Sequence, residues 1–417
     1  MLTRPKRLRS VGDLNYLARW SHLWLKFCLR FLRKVLLDVS LGVFLSPVAI
    51  PVALVLAVRQ KTVLVVGLSR LTNISLLISC LEPELRHRIA MTNSLENLIL
   101  IDFASDRNDQ LIVLYSRKVK TYDARKKIRR LVFWYASRLV RRAKVLKETY
   151  VWPEVDPILK FEDDEVRIGE AVLKSYRGLE AGKFLCYGMR RESYHRELIS
   201  RGTNILLNVS RNPEEGVYAE ALSTFNRGSF SVVRMGTEVM FPLDREKWPN
   251  ILDYAYDLRN EFMDCFLLAN CKFLLNGSSG IFWLASVFGS RVVNADQYDV
   301  RSNALRGDLQ IIQRLWIEDF GRLASLKEML QYGYYSKDKV QKLKKIRLVK
   351  NTVDEIKAVC DEMNARIDGT WVTTEEDEEL QRRYQELIVK YSNKPEWNGG
   401  GRIGAQFLRD NQDLVRE

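Results

Sequence analysis

Between Lys272 and Gly289 the chain reads KFLLNGSSGIFWLASVFG, an order of residues that few folds accept. The apolar run Lys272–Leu275 suits a buried strand, Asn276–Gly280 a tight turn, and Ile281–Phe288 the first turns of an apolar helix. The result is a βα unit whose helix begins with backbone N–H groups that have no partner inside the helix. Gly277, Ser278, Ser279 and Gly280 carry little bulk, so a phosphate can approach those groups closely. The competing reading is that Ser278 or Ser279 only caps a packing helix.

The preceding chain shows the same alternation. TVLVVGLS (Thr62–Ser69), NLILIDF (Asn97–Phe103) and QLIVLYS (Gln110–Ser116) read as strands, and NISLLISCLEPEL as a helix. A second series runs from KFLCYGMRRESYH (Lys183–His195) through NILLNVSRNPEEGVYAEAL, SFSVVRMG, ILDYA and NEFMDCFLLANC. Strands alternating with helices predict an α/β fold with parallel sheets. WPEVDP (Trp152–Pro157) interrupts the pattern and is the expected domain boundary, dividing residues 60–157 from 158–308. Residues 309–417 read mainly as helices, including LQIIQRLWIEDF. The acids of EDDE at Glu162–Glu165 suit the first turn of a helix better than a metal site.

Charge concentrates in two stretches. The net charge is +14, whereas residues 1–60 hold ten Lys/Arg against two Asp and residues 117–147 hold thirteen against Asp123 alone, so the remainder is net acidic. Residues 1–38 mix bases with Trp, Phe and Leu as an interfacial helix does, and Val39–Val58 is an uncharged run of twenty residues. Pro47 and Pro51 at its centre bend any helix there, so residues 1–59 are expected to attach to a membrane by a span or a bent insertion. Asp123–Lys147 reads as a basic amphipathic helix suited to an anionic lipid surface. Nucleic acid ranks below lipid as its partner, because no aromatic–basic reader module is present. The six cysteines show no CxxC spacing and the three histidines lie far apart, so no metal or cofactor is expected and a cytoplasmic location is the default.

Arg190, Arg211 and Arg234 recur at the ends of apolar runs, and a guanidinium binds phosphate oxygens through two N–H groups at once. Their convergence on Gly277–Gly280 would make a nucleotide-diphosphate pocket. Asp102 falls at the C-terminal end of its strand, where ligands of parallel sheets gather.

Taken in order, CYGMRRESY, SRNPEEGVY, VVRMG, DYA, EFMDCFLLANCKFLLNGSSG and NTVDEIKAVCDEM resemble a family of bacterial glycosyltransferases related to the fucosyltransferase-like group with GT-B architecture. In that group's HxRRxD pattern the arginines contact the donor diphosphate, and Arg190 and Arg191 match them. The pattern's His and Asp are Gly188 and Ser193 here. The resemblance implies two facing Rossmann-like domains, with the nucleotide-sugar in the C-terminal one and the acceptor in the N-terminal one; the candidate donor site takes in Arg211, Asn212, Arg234, Gly236, Asp253, Asp264 and Gly277–Gly280. It implies metal-independent hexosyl or deoxyhexosyl transfer from a nucleotide-sugar co-substrate to a lipid-linked or polysaccharide acceptor, at the cytoplasmic face of the inner membrane. Asp102 and the loop Ser69–Asn73 are positional candidates for the general base. A non-catalytic membrane-surface scaffold with a degenerate nucleotide pocket is the alternative.

Overall fold

The computed structural model describes residues 62–66, 74–96, 98–102, 108–123, 155–176, 178–189, 214–223, 231–237, 241–297, 300–301, 305–331, 345–392 and 400–416, with single positions between them. The centre is a seven-stranded sheet: β4 (Phe184–Met189), β5 (Ser231–Met235), β6 (Ile251–Leu252), β7 (Phe273–Gly277), β8 (Arg291–Gln297), β9 (Leu309–Ile312) and β13 (Arg402–Ile403). Their spatial order is β13-β9-β8-β7-β4-β5-β6, and every pairing is parallel. β7 lies between β4 and β8, with Cys186 beside Leu274 and Gly277 beside Ala295.

Strands buried on both faces need apolar residues at successive positions, which FLCYGM and RVVNADQ provide. Leu185, Tyr187, Phe273, Leu275 and Val293 join one apolar cluster with Tyr218, Leu222, Ile356, Val359 and Met363. Those partners lie on α4 (Glu215–Ser223) and α9 (Val353–Ile367). Phe184, Cys186, Leu274 and Val292 face the other way, toward Phe266 and Leu267 of α6 (Glu261–Asn270) and Trp283 and Leu284 of α7 (Ile281–Val287).

A smaller parallel sheet holds β1 (Thr62–Val66), β2 (Leu98–Asp102) and β3 (Lys120–Asp123). Its helices α1 (Ile74–Thr92) and α2 (Asp109–Ser116) send Ile78, Leu81, Leu85, Leu111 and Tyr115 into the second cluster. The two sheets therefore share a core through α6 and α7. Polar bonds reinforce the junction: Asn108 Nδ2 donates to Glu261 O at 2.9 Å, and Glu165 in the first turn of α3 (Asp163–Ser175) accepts from Arg117 at 2.8 Å. That pairing, led by the hydrogen bond from Arg117, pulls the Glu165 carboxyl down to about 2.

Two sequence expectations are corrected. Gln110–Ser116 is a helix and not a strand, because Asn108 accepts from Leu111 N–H at 2.9 Å and the buried residues Leu111, Ile112, Leu114 and Tyr115 follow helical spacing. Leu309–Phe320 is not helical: it forms β9 and β10 (Arg314–Ile317), so the main sheet runs past residue 308. β10 pairs antiparallel with β11 (Arg322–Leu323) and β12 (Ile346–Val349). The apolar run 39–58, apart from Pro47, Ile50 and Pro51, and the basic stretch 124–147, apart from Val132, lie outside the described residues. Among the described residues no helix is long and apolar enough to cross a membrane.

Asp308, just before β9, is buried, with Oδ1 accepting from Val292 N–H at 2.9 Å and Oδ2 without a hydrogen-bond partner among the described residues. Burial, opposed by that bond and by Arg291, pushes its carboxyl up to about 7. A folded-state value above the unfolded one means that stability is full below pH ~4 and declines as pH rises through about 7. Asp308→Asn should remove this decline, worth on the order of 4 kcal/mol at most, and urea unfolding at pH 5 and pH 8.5 measures it.

Candidate functional site

The chain builds β4, β5 and β6 outward in one direction, then returns to the far side of β4 to lay down β7, β8 and β9. The strand order thus reverses between β4 and β7. In open parallel sheets a crevice forms at the C-terminal ends of the strands flanking such a reversal, and ligands bind there. β4 ends at Met189, immediately before Arg190 and Arg191, and β7 ends at Gly277, the first residue of the Gly/Ser turn. Two segments far apart in sequence thus leave the sheet on adjacent strands at the same edge. The side chains of Arg190, Arg191, Arg211 and Asn212 lie outside the described residues.

The turn is held from within and from β8. Asn276 is buried, donates from Nδ2 to Asn294 Oδ1 at 2.8 Å, and accepts from Ser279 N–H at 3.3 Å. Ser278 adopts a left-handed backbone (φ 48°) and donates its hydroxyl to the Asp296 carbonyl at 3.0 Å. Ser279 Oγ accepts from Ile281 N–H at 3.5 Å. The Ser278 hydroxyl is therefore engaged in the fold, whereas among the described residues the Ser279 hydroxyl and the Gly280 N–H donate no hydrogen bond.

Gly188 lies beside Asn276 on β4. A Cβ there would sit 3.1 Å from Ile281 Cγ2 and 3.6 Å from Met235 Cβ, so the first residue of α7 occupies the space that a side chain at 188 would need. A side chain at 188 therefore requires Ile281 to give way by a few tenths of an ångström.

Arg234 and Asp253 have a different task from the one the sequence suggested. Arg234 is almost fully buried. Its Nη1 donates to both Asp253 oxygens at 2.8 and 2.9 Å, and its Nε and Nη2 donate to Glu215 at 2.5 and 2.8 Å. Burial disfavours the guanidinium charge, and the two carboxylates outweigh it, so its pKa stays above the ordinary arginine value. Asp253 also accepts from Leu243 N–H at 2.7 Å. The pair locks β5 to β6 and α4, and the expected convergence of Arg234 on the turn is not what the geometry gives. Gly236 follows β5 with φ 156°.

Asp264, in the first turn of α6, lies 3.0 Å from Tyr254 Oη and 3.0 Å from Arg259 Nη2. Burial pushes its carboxyl up to about 6 against the pull of Arg259. Asp102 closes β2, with its Cα opposite Val66 and Asp123. Among the described residues no group of three or more His, Cys, Asp or Glu side chains could hold a metal ion.

Asn294, Asp296, Gln313 and Asn351 were not anticipated from sequence. All four are buried at or near the same edge. Their signal was the appearance of amides and a carboxylate inside otherwise apolar runs, as in RVVNADQ. Because Arg234 holds two carboxylates, Arg234→Ala should destabilise the protein by about 3–5 kcal/mol, measured by denaturant unfolding, as expected for breaking a buried pair.

No family model matches the chain, and no curated protein matches it. Three solved structures share part of its architecture. A glycosyl transferase family 9 protein from Veillonella parvula aligns at 9% identity over 52% of this chain, with a TM-score of 0.27, and the chain spans 60% of that protein. ADP-heptose lipopolysaccharide heptosyltransferase II of E. coli aligns at 11% identity over 56% of this chain and 84% of its own, with a TM-score of 0.33. An E. coli heptosyltransferase solved with ADP aligns at 9% identity over 60% and 91%, with a TM-score of 0.28. These values describe partial likeness in shape and say nothing of substrate.

Proposed function

We propose that the protein is a glycosyltransferase that moves a hexosyl or deoxyhexosyl group from a nucleotide-sugar donor to a lipid-linked or surface-polysaccharide acceptor at the cytoplasmic face of a membrane. The observation that carries this reading is the reversal of strand order between β4 and β7, which brings the exit toward Arg190 and Arg191 beside the turn at residues 277–280. Negative charge develops on the departing diphosphate during transfer. In this reading Arg190, Arg191 and the N–H donors of the turn stabilise it where it develops, without a metal. Ser279 and Gly280 supply the donors from the turn. Acceptor binding falls to the sheet β1-β2-β3, where Asp102 at a strand end is a candidate general base. Membrane attachment rests on residues 1–59 and the basic stretch 117–147.

One observation favours a nucleotide-binding scaffold instead. With Ile281 packed on Gly188, the position of the pattern's histidine holds no titratable group. Binding and transfer separate the two readings. A thermal-shift panel of ADP, GDP, UDP and CDP should show a rise in Tm with at least one, reduced in Arg190→Ala by about tenfold in apparent affinity. Binding without sugar transfer or donor hydrolysis supports the scaffold, and stabilisation by none of the four overturns the donor site.

The attachment has a separate test. Removing residues 1–59 should release the protein from sedimented membranes, and a truncated protein that still sediments with them overturns the assignment.

A further inference from the structure

Asp296 occupies a place in β8 where the ladder to β9 shifts register, between Asn294 and Gln297. Its backbone is left-handed, with φ 52°, a region that residues other than glycine seldom enter. Side chains and a loop amide take the polar atoms of Asp296. Its N–H donates to Asn351 Oδ1 at 2.7 Å, and Oδ1 accepts from Asn351 N–H at 2.8 Å. Oδ2 accepts from the Tyr218 hydroxyl at 3.1 Å. The carbonyl accepts from the Ser278 hydroxyl at 3.0 Å and from Gln313 Nε2 at 3.1 Å. Asp296, Ser278, Gln313 and Asn351 are all buried.

The partners come from four places in the fold. Tyr218 lies on α4, Ser278 is in the turn, Gln313 joins β9 to β10, and Asn351 precedes Thr352, the N-cap of α9. Asn351 also donates from Nδ2 to Ile312 O at 3.0 Å, so this node fastens the C-terminal helices to the sheet as well. Ser278 and Asp296 are two left-handed residues on adjacent strand ends, joined by one hydrogen bond. The conformation of each helps to fix the other.

We infer that Asp296 is a positioning residue for the donor site: its left-handed backbone aims the carbonyl that holds Ser278, and thereby sets the turn that presents Ser279 and Gly280. This rests on reading the turn as the diphosphate site. A purely structural Asp296 would change the stability of the fold and leave the affinity of the folded molecules unaltered. A positioning role changes the affinity itself.

The test is calorimetric titration of the full chain with ADP, GDP, UDP and CDP. Asp296→Asn, whose side chain tolerates left-handed backbone and keeps an acceptor for Asn351, should bind within about twofold of wild type. Asp296→Val, which cannot adopt that backbone without strain, should bind about tenfold more weakly or worse while remaining folded by circular dichroism. Adding Ser278→Ala to Asp296→Val should weaken binding no further, because both act through one bond. A folded Asp296→Val with wild-type affinity overturns the inference, and so does an Asp296→Asn as weak as the valine variant. If Asp296→Val does not fold, Ser278→Ala decides: about fivefold weaker binding supports the role, and unchanged binding overturns it. Absence of binding to all four nucleotides by the wild-type chain overturns the donor-site reading, and the inference falls with it.

Discussion

Parallel pairing of β7 between β4 and β8 is the constraint on which the rest of the molecule depends. A parallel strand must be reached by a crossover, and a central one must be covered on both faces. One face is covered by α4 and α9, the other by α3, α6 and α7. The fit of this second layer is close: a Cβ on Gly169 of α3 would lie 2.3 Å from the Phe266 ring on α6. Outside it lie α1 and α2 of the smaller sheet, so the amino-terminal unit rests on the helices that flank β7. Arg86 of α1 stacks over Trp152 at 4.6 Å, and Trp152 stacks on Trp283 of α7 with centroids 5.7 Å apart. A displacement of the smaller sheet is therefore felt by the helix that begins at the Gly/Ser turn.

The same constraint sorts the polar residues. At the C-terminal edge the strand ends carry Asn276, Asn294 and Asp296, all buried and all bonded to one another or to the turn. Burying such groups is costly unless each finds a partner, so the network has few alternative arrangements. One strand away on β5, Arg234 obeys the same rule with charges: a buried guanidinium between two carboxylates is stable only as a set.

What could be read from sequence follows from which interactions are local. Residues 272–289 declared a strand, a turn and a helix because glycine, serine and an apolar period act over a few neighbours, and β7 and α7 form there. QLIVLYS was ambiguous, since a short apolar run fits a buried strand or a buried helix, and the deciding bond comes from Asn108 just outside it. LQIIQRLWIEDF failed for a related reason: its two strands are divided at Gln313, whose amide is bonded to Asp296. The fate of Arg234 was not legible, because Glu215 and Asp253 each lie 19 residues away on other elements. The bond between Asp296 and Asn351 spans 55 residues.

Gly188 on β4 and Ile281 at the start of α7 pack directly against each other. Ile281 Cγ2 and Cδ1 would lie 3.1 and 3.3 Å from a Cβ at position 188, so a side chain at 188 requires Ile281 to give way by a few tenths of an ångström. With glycine on the strand, Ile281 packs onto β4 itself, and α7 begins directly over the point where the strand order reverses. That arrangement keeps the turn close to the end of β4.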